Sequence, residues 1–336
     1  SMQTPSNQTG KLLLATEEEL FASIIDTCHP FRRLKEIIDF KELIDPMRSA
    51  YSTLGANGID VEKGVKALLI QFWEDYSDRE MEKAVKENLA IRWFCGFSLT
   101  EITPDYSYFS KLRKRIGTKR ISRFFEDINI ILQDHGLFGN VFTFIDASTI
   151  ITKTALWEER DRAIRDGAEK LNNTNVNKYA ADKDARWGAK SKKNIWFGHK
   201  RHVSVDMRYG LVKKVAITSA NVPDFKTVKS IIPKQGAVFM DKMYDTKKTD
   251  GILKARGIYA ATIRKNTNKE KNRDLDRWHS GIRMPFEGVF SKMSKHARYR
   301  GHAKVMMQTF LQAITHNLKK AVHILTIETS TMRYAT

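Results

Sequence analysis

Apolar residues recur at helical spacing in the first part of the chain. Intervals of three and four residues place Leu20, Ile24 and Ile25 on one face, and residues 65–72 (VKALLIQF) repeat the pattern. We therefore predict an all-α domain over residues 17–137, preceded by a flexible and polar N-terminus at 1–16.

Capping residues indicate where two of these helices begin. Asp78 precedes the segment 79–89, and Asp105 precedes the segment 106–117, which ends in a glycine. Aspartate is a favoured N-cap and glycine a favoured C-terminal stop, so both segments are predicted as helices. The glycine-rich residues 55–58 predict a loop.

The pattern changes after residue 140. Short apolar or alternating segments, typical of strands, now alternate with helical spacing. The predicted strands are 141–146, 202–206, 211–218, 237–241 and 258–264, and the predicted helices are 224–232, a segment ending near 255, 284–293 and 302–322. This order predicts an α/β fold, a mixed five-stranded sheet with flanking helices. Residues 153–197 are polar and predicted as a surface insertion, and 323–336 as a tail.

The charge is divided unequally between the two regions. Residues 1–140 carry 19 Lys/Arg and 21 Asp/Glu, a net of −2, whereas residues 141–336 carry 39 and 18, a net of +21. An electrostatic field this one-sided favours a polyanion as the binding partner. Nucleic acid is preferred here over a membrane surface or an acidic protein. The alternative is a basic surface without a function.

Composition excludes other classes of protein. No apolar run approaches the roughly 18 residues of a membrane helix, and no signal peptide is evident. Cys28 and Cys95 are too few for a disulfide framework or a cysteine zinc site, which fits a reducing cytoplasm. No glycine-rich phosphate loop or dinucleotide fingerprint occurs, so no nucleotide cofactor is expected.

Three acids of the basic region adjoin apolar residues. Asp146 and Asp241 each end a predicted strand, and Glu287 lies at the edge of a predicted helix. Carboxylates in such places are costly unless they are paired or bind metal. Each also has an ordinary explanation, because strand-end aspartates cap turns and Arg283 is spaced to pair with Glu287 along a helix. Together they suggest a Mg²⁺ site.

Several blocks, in order, resemble one known family. They are residues 77–99 (SDREMEKAVKENLAIRWFCGFSL), 104–117 (PDYSYFSKLRKRIG), 144–149 (FIDAST), 184–206 (DARWGAKSKKNIWFGHKRHVSVD), 218–224 (TSANVPD), 240–245 (MDKMYD) and 283–293 (RMPFEGVFSKM). Through these blocks the chain resembles the DDE transposases of bacterial insertion sequences, of the "IS five" type, and the resemblance extends over residues 29–322.

The resemblance implies an RNase H-like catalytic domain over residues 138–322. It implies that Asp146, Asp241 and Glu287 are the catalytic acids and that they bind two Mg²⁺ or Mn²⁺ ions per active site. Arg283 matches the arginine that precedes the family's glutamate. The family's tyrosine and lysine on either side are replaced by Ser280 and Ser294. Lys292 and Lys295 flank the second of these positions.

Basic residues in both regions are candidate DNA contacts. The segment 106–115 has the spacing of a recognition helix, although a solvated basic helix is the alternative. An exposed role for Trp278, stacking on a flipped base, is weighed against core packing. The candidate contacts are Lys111, Arg113, Lys114, Arg115, Lys200, Arg201, Arg283, Lys292, Lys295, Arg298 and Arg300.

The sequence therefore predicts a transposase that cleaves and joins double-stranded DNA, with terminal inverted repeats and target DNA as partners. A homo-oligomer on DNA, nucleoid-associated and away from membranes, is implied by the resemblance. The alternatives are a catalytically silent, domesticated transposase that only binds DNA and a nuclease without a joining step. In the implied sheet, Asp146 and Asp241 share one edge, and Asp206, which also ends a strand, lies at the opposite edge.

Overall fold

The computed structural model describes residues 16–50, 58–152, 156–269 and 271–334. They form two compact units. One unit contains the described residues up to 120 together with those from 321 onward, and the other contains those from 121 to 320. Residues 55–57 of the predicted loop at 55–58, and residues 1–15 of the predicted flexible N-terminus at 1–16, lie outside the described residues.

The first unit is helical, as expected from its apolar spacing. Its helices are α1 (Glu17–Ile24), α2 (Pro30–Ile37), α3 (Phe40–Ile44), α4 (Val61–Trp73), α5 (Asp78–Glu87), α6 (Leu89–Cys95) and the first part of α7 (Tyr106–Asp134). Buried aromatic rings join them: Phe94 lies 5.0 Å from Phe31 and 5.4 Å from Phe40, measured between ring centroids. Leu68 of α4 is fully buried in the same unit.

The helix ends correct one prediction and refine another. Ser77, not Asp78, caps α5, because its hydroxyl accepts the N–H of Glu80 in a reciprocal capping box. Asp105 does cap α7, accepting the N–H of Tyr108 over 3.0 Å. Gly117 does not end that helix but kinks it, with a left-handed φ of 72°, and the chain continues helically to residue 134.

The second unit is built on one mixed sheet. Its strands are β1 (Phe142–Ile151), β2 (Arg186–Ser191), β3 (Asn194–Asp206), β4 (Leu211–Ser219), β5 (Ala237–Met240) and β6 (Tyr259–Thr262). The central strand β1 is antiparallel to β3 and parallel to β5, while β4 pairs with β3 and β6 with β5. This is the strand arrangement expected for an RNase H-like sheet.

Two strands are longer than their sequences suggested. β1 was predicted to end at Asp146 but continues to Ile151, and β3 begins at Asn194 instead of residue 202. Polar residues interrupt the apolar pattern in both extensions. Backbone pairing between the two strands, from Thr143 opposite Asp206 to Ile151 opposite Gly198, holds them in the sheet regardless.

The span 153–197 is more than a surface insertion. Its described part contains α8 (Leu156–Arg165), α9 (Val176–Tyr179) and the whole of β2, which adds a sixth strand to the expected five. Ala163, Leu171 and Tyr179 form a small buried cluster within it. Alternation is weak in β2, which explains why the sequence did not predict it.

Helices cover the sheet and complete the core. They are α10 (Val228–Ile231), α11 (Lys247–Ala255), α12 (Arg273–Ser291), the second part of α7 and the first part of α13 (His302–Tyr334). Ile145, Val238 and Met240 pack against Ile231 and Leu253 on one face. The expected tail from residue 323 is helical as far as residue 334. Among the described helices, none is long and apolar enough to cross a bilayer.

Candidate active site

The register of two parallel strands brings Asp146 and Asp241 together. Ile145 of β1 is paired with Met240 of β5, and this pair is the last between the two strands. Each aspartate is the next residue along its chain. The positive charge of Arg283 acts on Asp146 and lies 3.7 Å from Asp241. The two carboxylates therefore face one small volume at the carboxyl end of the β1–β5 pair.

The environment of Asp146 disfavours its charge. Burial, together with the nearby charge of Asp241, raises its pKa from 3.8 to about 6, although the N–H of Ala147 and the charge of Arg283 oppose the shift. Desolvation beside a like charge is the usual way in which a carboxyl pair acquires a high pKa. Such a pair favours a cation between its members.

One carboxylate oxygen of each aspartate accepts a hydrogen bond from the backbone. Oδ1 of Asp146 accepts the N–H of Ala147 over 2.7 Å, and Oδ1 of Asp241 accepts the N–H of Lys242 over 2.6 Å. Asp241 therefore does cap the turn that follows β5. Among the contacts of the described residues, Oδ2 of each aspartate takes part in no hydrogen bond, so capping and a second role are compatible.

Glu287 reaches the two aspartates through an arginine. Nη2 of Arg283 lies 3.2 Å from Oε1 of Glu287, and Nη1 of the same group lies 3.7 Å from Oδ1 of Asp241. The Arg283 side chain is only 8% exposed and packs over the ring of Phe144 at 5.2 Å, whereas Glu287 is 53% exposed. The helical pair considered in the sequence is real, and it also connects the third acid to the other two.

Asp206 has a different position and a structural task. It is paired with Thr143, at the opposite end of β1 from the two aspartates. Its fully buried carboxylate accepts the N–H groups of Gly139, Asn140 and Arg208 over 2.9–3.0 Å. These bonds fix the start of β1 and the β3–β4 turn, and the expected separation of Asp206 from the acids is confirmed.

Two expected DNA contacts on β3 are held by the protein itself. Arg201 is 1% exposed and donates to the carbonyl of Ser294 over 2.7 Å. Lys200 is 15% exposed and donates to the carboxylate of Asp224 over 2.7 Å. An arginine buried to this degree has no surface to offer a phosphate. Arg201 therefore lies outside the DNA surface proposed below.

The basic residues after α12 are better placed. Lys292, Lys295 and Arg300 are exposed, and Arg298 is half-buried. The segment that carries them lies beside the end of β1, because the N–H of Ile151 donates to the carbonyl of Lys295 over 2.7 Å. Lys295 therefore lies at the end of β1 that follows Asp146. Lys292 lies nearer the β3–β4 turn, because its charge acts on His316 and Lys320, which contact the carbonyls of Gly210 and Tyr209.

In the helical unit, the four candidate DNA contacts on α7 differ in their exposure to solvent. Lys111, Lys114 and Arg115 are exposed. Arg113 is largely buried and forms a paired contact with Asp78, the shorter N–O distance being 2.6 Å. The exposed three lie on one stretch of helix, while Arg113 secures α7 to α5.

Two residues near the acids had no role in the sequence interpretation. Tyr244 is fully buried, and burial together with the charges of Asp224, Asp146 and Asp241 raises its pKa. Among the described residues its hydroxyl has no hydrogen-bond partner. Lys190, exposed on β2, lies close enough to lower the pKa of Asp146. Tyr244 was visible in the MDKMYD block, but Lys190 fell within the supposed insertion.

Trp278 precedes the arginine on α12 and is not a core residue. Its side chain is 56% exposed, while one side of the ring lies 6.4 Å from Phe239. Neighbouring His279 is buried. Core packing was the favoured explanation for Trp278 and is wrong, since the indole is accessible.

The acids do not form a complete metal cage. In the part of the chain that the structure describes, no group of three His, Cys, Asp or Glu side chains is arranged to hold a metal ion. The chemistry of the donors nevertheless fits a hard divalent cation, because Asp146 and Asp241 present carboxylate oxygens, the ligands that such ions prefer. Arg283 supplies the positive charge between Asp241 and Glu287.

Two family models match the chain in consecutive stretches. Residues 19–115 match a family described as "Transposase domain (DUF772)", and residues 138–318 match one described as "Transposase DDE domain". A cryo-EM structure of a piggyBac transposase synaptic complex with hairpin DNA is similar over 89% of this chain and 75% of that one. The identity is 9% and the TM-score 0.41.

Proposed function

The chain belongs to the DDE transposase family, enzymes that act on DNA, and from that premise we propose that Asp146, Asp241 and Glu287 are its catalytic acids. One observation carries the assignment. Asp146 and Asp241 directly follow the last residue pair of the parallel strands β1 and β5, and Arg283 lies within 4 Å of both Asp241 and Glu287. The "IS five" subtype stays a prediction.

Divalent metal is normal for this family, and we propose two Mg²⁺ or Mn²⁺ ions held by the three acids. When bound, such ions activate the attacking hydroxyl and stabilise the leaving oxygen of a phosphodiester displacement. Asp146 and Asp241 would provide their Oδ2 atoms, and Glu287 would complete the set after leaving Arg283. The hydroxyl of Tyr244, on which the charges of Asp146 and Asp241 act, would donate a hydrogen bond to a carboxylate or to water held there.

Exposed basic residues would hold the DNA around the acids. In the catalytic unit these are Lys190, Lys292, Lys295 and Arg300, together with the half-buried Arg298. Their long side chains provide the phosphate contacts that carboxylates repel. Arg283 would turn from Glu287 towards a phosphate, and accessible Trp278 would stack on an unpaired base beside the cleavage point. The net charge of +21 over residues 141–336 supports binding of a polyanion along this region.

Recognition of the element's own ends is proposed for the helical unit. Its net charge is close to zero, so attraction to any DNA is weak and the exposed Lys111, Lys114 and Arg115 stand out. The substrates would be terminal inverted repeats and target DNA, brought together by a homo-oligomer. Such an enzyme works where the bacterial chromosome lies, in the nucleoid. The silent alternative gains no support, since all three acids are present.

A joining assay separates a transposase from a nuclease. Duplexes carrying the sequences that flank the gene, pre-cut to expose a 3′-hydroxyl, would be incubated with supercoiled plasmid and Mg²⁺. The proposal expects covalent joining of the labelled end to plasmid. Cleavage of uncut ends without any joining would identify a nuclease instead. The absence of both cleavage and joining would contradict catalysis by this chain.

A further inference from the structure

A basic cavity lies in the catalytic unit away from the acids. Its volume is about 410 Å³, and it opens where β1 and β4 begin. The residues that give it its polar character are Asn129, Asn140, Lys213, Lys214, Lys234 and Gln235. We call it the basic cavity.

A β-bulge places two lysines in the basic cavity. Val205 is opposite Val212, but the next residue back on β3, Ser204, is opposite Lys214, so Lys213 is an extra residue on β4. Consecutive residues of a regular strand point to opposite faces, and a bulge breaks that alternation. Both lysines consequently line the same cavity, which a regular strand would not allow.

Positive charges crowd this cavity. Burial lowers the pKa of Lys214, and the charges of Arg256, Lys213 and Lys234 lower it further, with only Glu126 opposing them. The ammonium of Lys214 has three N–H donors, and the hydrogen bonds among the described residues use one, to the carbonyl of Ile232. The ammonium of Lys213 donates to Oδ1 of Asn140 over 2.8 Å and lies 3.8 Å from Oδ2 of Asp206. Lys214 and its neighbouring cations still repel one another, and an anion beside Lys214 would relieve that repulsion.

The side chains of Lys214 and Asp146 point to opposite faces of the sheet, and the basic cavity borders β4. Ile145 is opposite Ser204, which is opposite Lys214, so these three side chains share a face. Ile145 packs against Ile232 on that face, and Ile232 provides the carbonyl that Lys214 contacts. Asp146 follows Ile145 on the strand and therefore points to the other face.

We propose that the basic cavity binds a backbone phosphate of a DNA segment other than the one cleaved at Asp146 and Asp241. The inference rests on the proposed function, in which end DNA and target DNA are bound together. The side chain of Lys214 points away from the face of the acids, so the DNA segment that lies across the acids is not the one that reaches Lys214. A phosphate is the ligand that the three lysines lining the cavity favour.

The test uses exposed residues, whose replacement disturbs no packing. The variant Lys234→Ala/Arg256→Ala removes two cations at the cavity, and Arg165→Ala/Lys170→Ala removes the same two residue types from exposed positions elsewhere in the unit. Full-length protein is first saturated with an end duplex. Binding of a second, unrelated duplex is then measured over a range of salt concentrations, and metal-dependent cleavage of the end duplex is measured in parallel.

The cavity variant should cleave the end duplex as wild type does but bind the second duplex with a shallower salt dependence. The log–log slope should fall by about 0.9 for each lost phosphate contact, relative to the Arg165/Lys170 control. Equal slopes in the two variants would overturn the inference. If inorganic phosphate stabilised the wild-type protein at constant ionic strength while the two variants gave equal salt slopes, the cavity would be a site for free phosphate. That result would also overturn the inference. Absence of cleavage by wild type would count against the proposed function instead.

Discussion

Nη2 of Arg283 donates a hydrogen bond to Oε1 of Glu287, one turn further along α12, over 3.2 Å. The same guanidinium lies near Asp241, so one cation neutralises two of the three acids. A divalent ion bound by these acids would have to compete with Arg283. The geometry therefore predicts a coupling between the arginine and metal affinity.

Replacing Arg283 with methionine should strengthen metal binding. Methionine keeps the apolar contact with Phe144 but frees Asp241 and Glu287. We expect apparent Mg²⁺ affinity to rise roughly tenfold, equivalent to about 1.4 kcal/mol, while cleavage falls because a DNA contact is lost. Isothermal titration measures the first effect and a nicking assay the second. Unchanged or weaker Mg²⁺ binding would contradict competition by Arg283.

Burial of the Asp146 carboxylate should destabilise the metal-free protein at neutral pH. The folded pKa is about 6 and the unfolded value 3.8, so the cost is absent below pH 4, grows between the two values and is complete above pH 6. Asp146→Asn should thus stabilise the protein by about 1–3 kcal/mol at pH 8 and by little at pH 4. Urea unfolding in EDTA measures this, with exposed Asp274→Asn as control. The opposite pH trend would rule out a desolvated carboxylate.

Asp182 provides a test of the anchoring of the 153–197 span. Its buried carboxylate contacts His199 and accepts the hydroxyl of Thr152, each over 3.2 Å. Burial acts to raise its pKa, but the contact with His199 and the hydrogen bonds from the backbone N–H groups of Gly301 and Asp184 outweigh it and lower the pKa from 3.8 to about 2. The resulting stability is therefore present above pH 3.8 and lost as pH falls towards 2.

Asp182→Asn should cost about 2–3 kcal/mol at pH 7, and the difference from wild type should shrink below pH 4. Urea unfolding at several pH values would measure it, with the exposed Asp161→Asn of α8 as a matched control. A loss below about 0.5 kcal/mol at pH 7 would mean that the span is not held through this carboxylate.

The sequence predicted that Asp146 and Asp241 lie at the same end of two parallel strands, but it missed parts of the strands around them. Asp146 and Asp241 were recognisable because each follows an apolar run in an order typical of a parallel strand pair. The continuation of β1 past Asp146 was missed, since its polar residues are held by pairing with β3, a long-range effect. Lys190 was missed for the same reason: only the pairing of β2 with β3 brings it within reach of Asp146. Burial of Arg201 likewise depends on tertiary packing.

Specific recognition by the helical unit should depend on the exposed lysines of α7. Lys111→Ala and Lys114→Ala should each reduce the preference for an end duplex over a random duplex, and lower the salt slope by about 0.9 where a phosphate contact is lost. Lys41→Ala, an exposed lysine on α3, is the control. Fluorescence anisotropy with both duplexes measures the preference. If both variants discriminate as wild type does, another surface reads the ends.

The central claim is that three acids perform the chemistry, and metal-dependent cleavage by single variants tests it most directly. Asp146→Ala, Asp241→Ala and Glu287→Ala should each reduce cleavage of an end duplex in Mg²⁺ by at least about a hundredfold, since each loses a metal ligand. DNA binding should persist because negative charge is removed, and Asp274→Ala, an exposed acid on α12, should cleave normally. Cleavage at the wild-type rate by any one of the three variants would contradict the account.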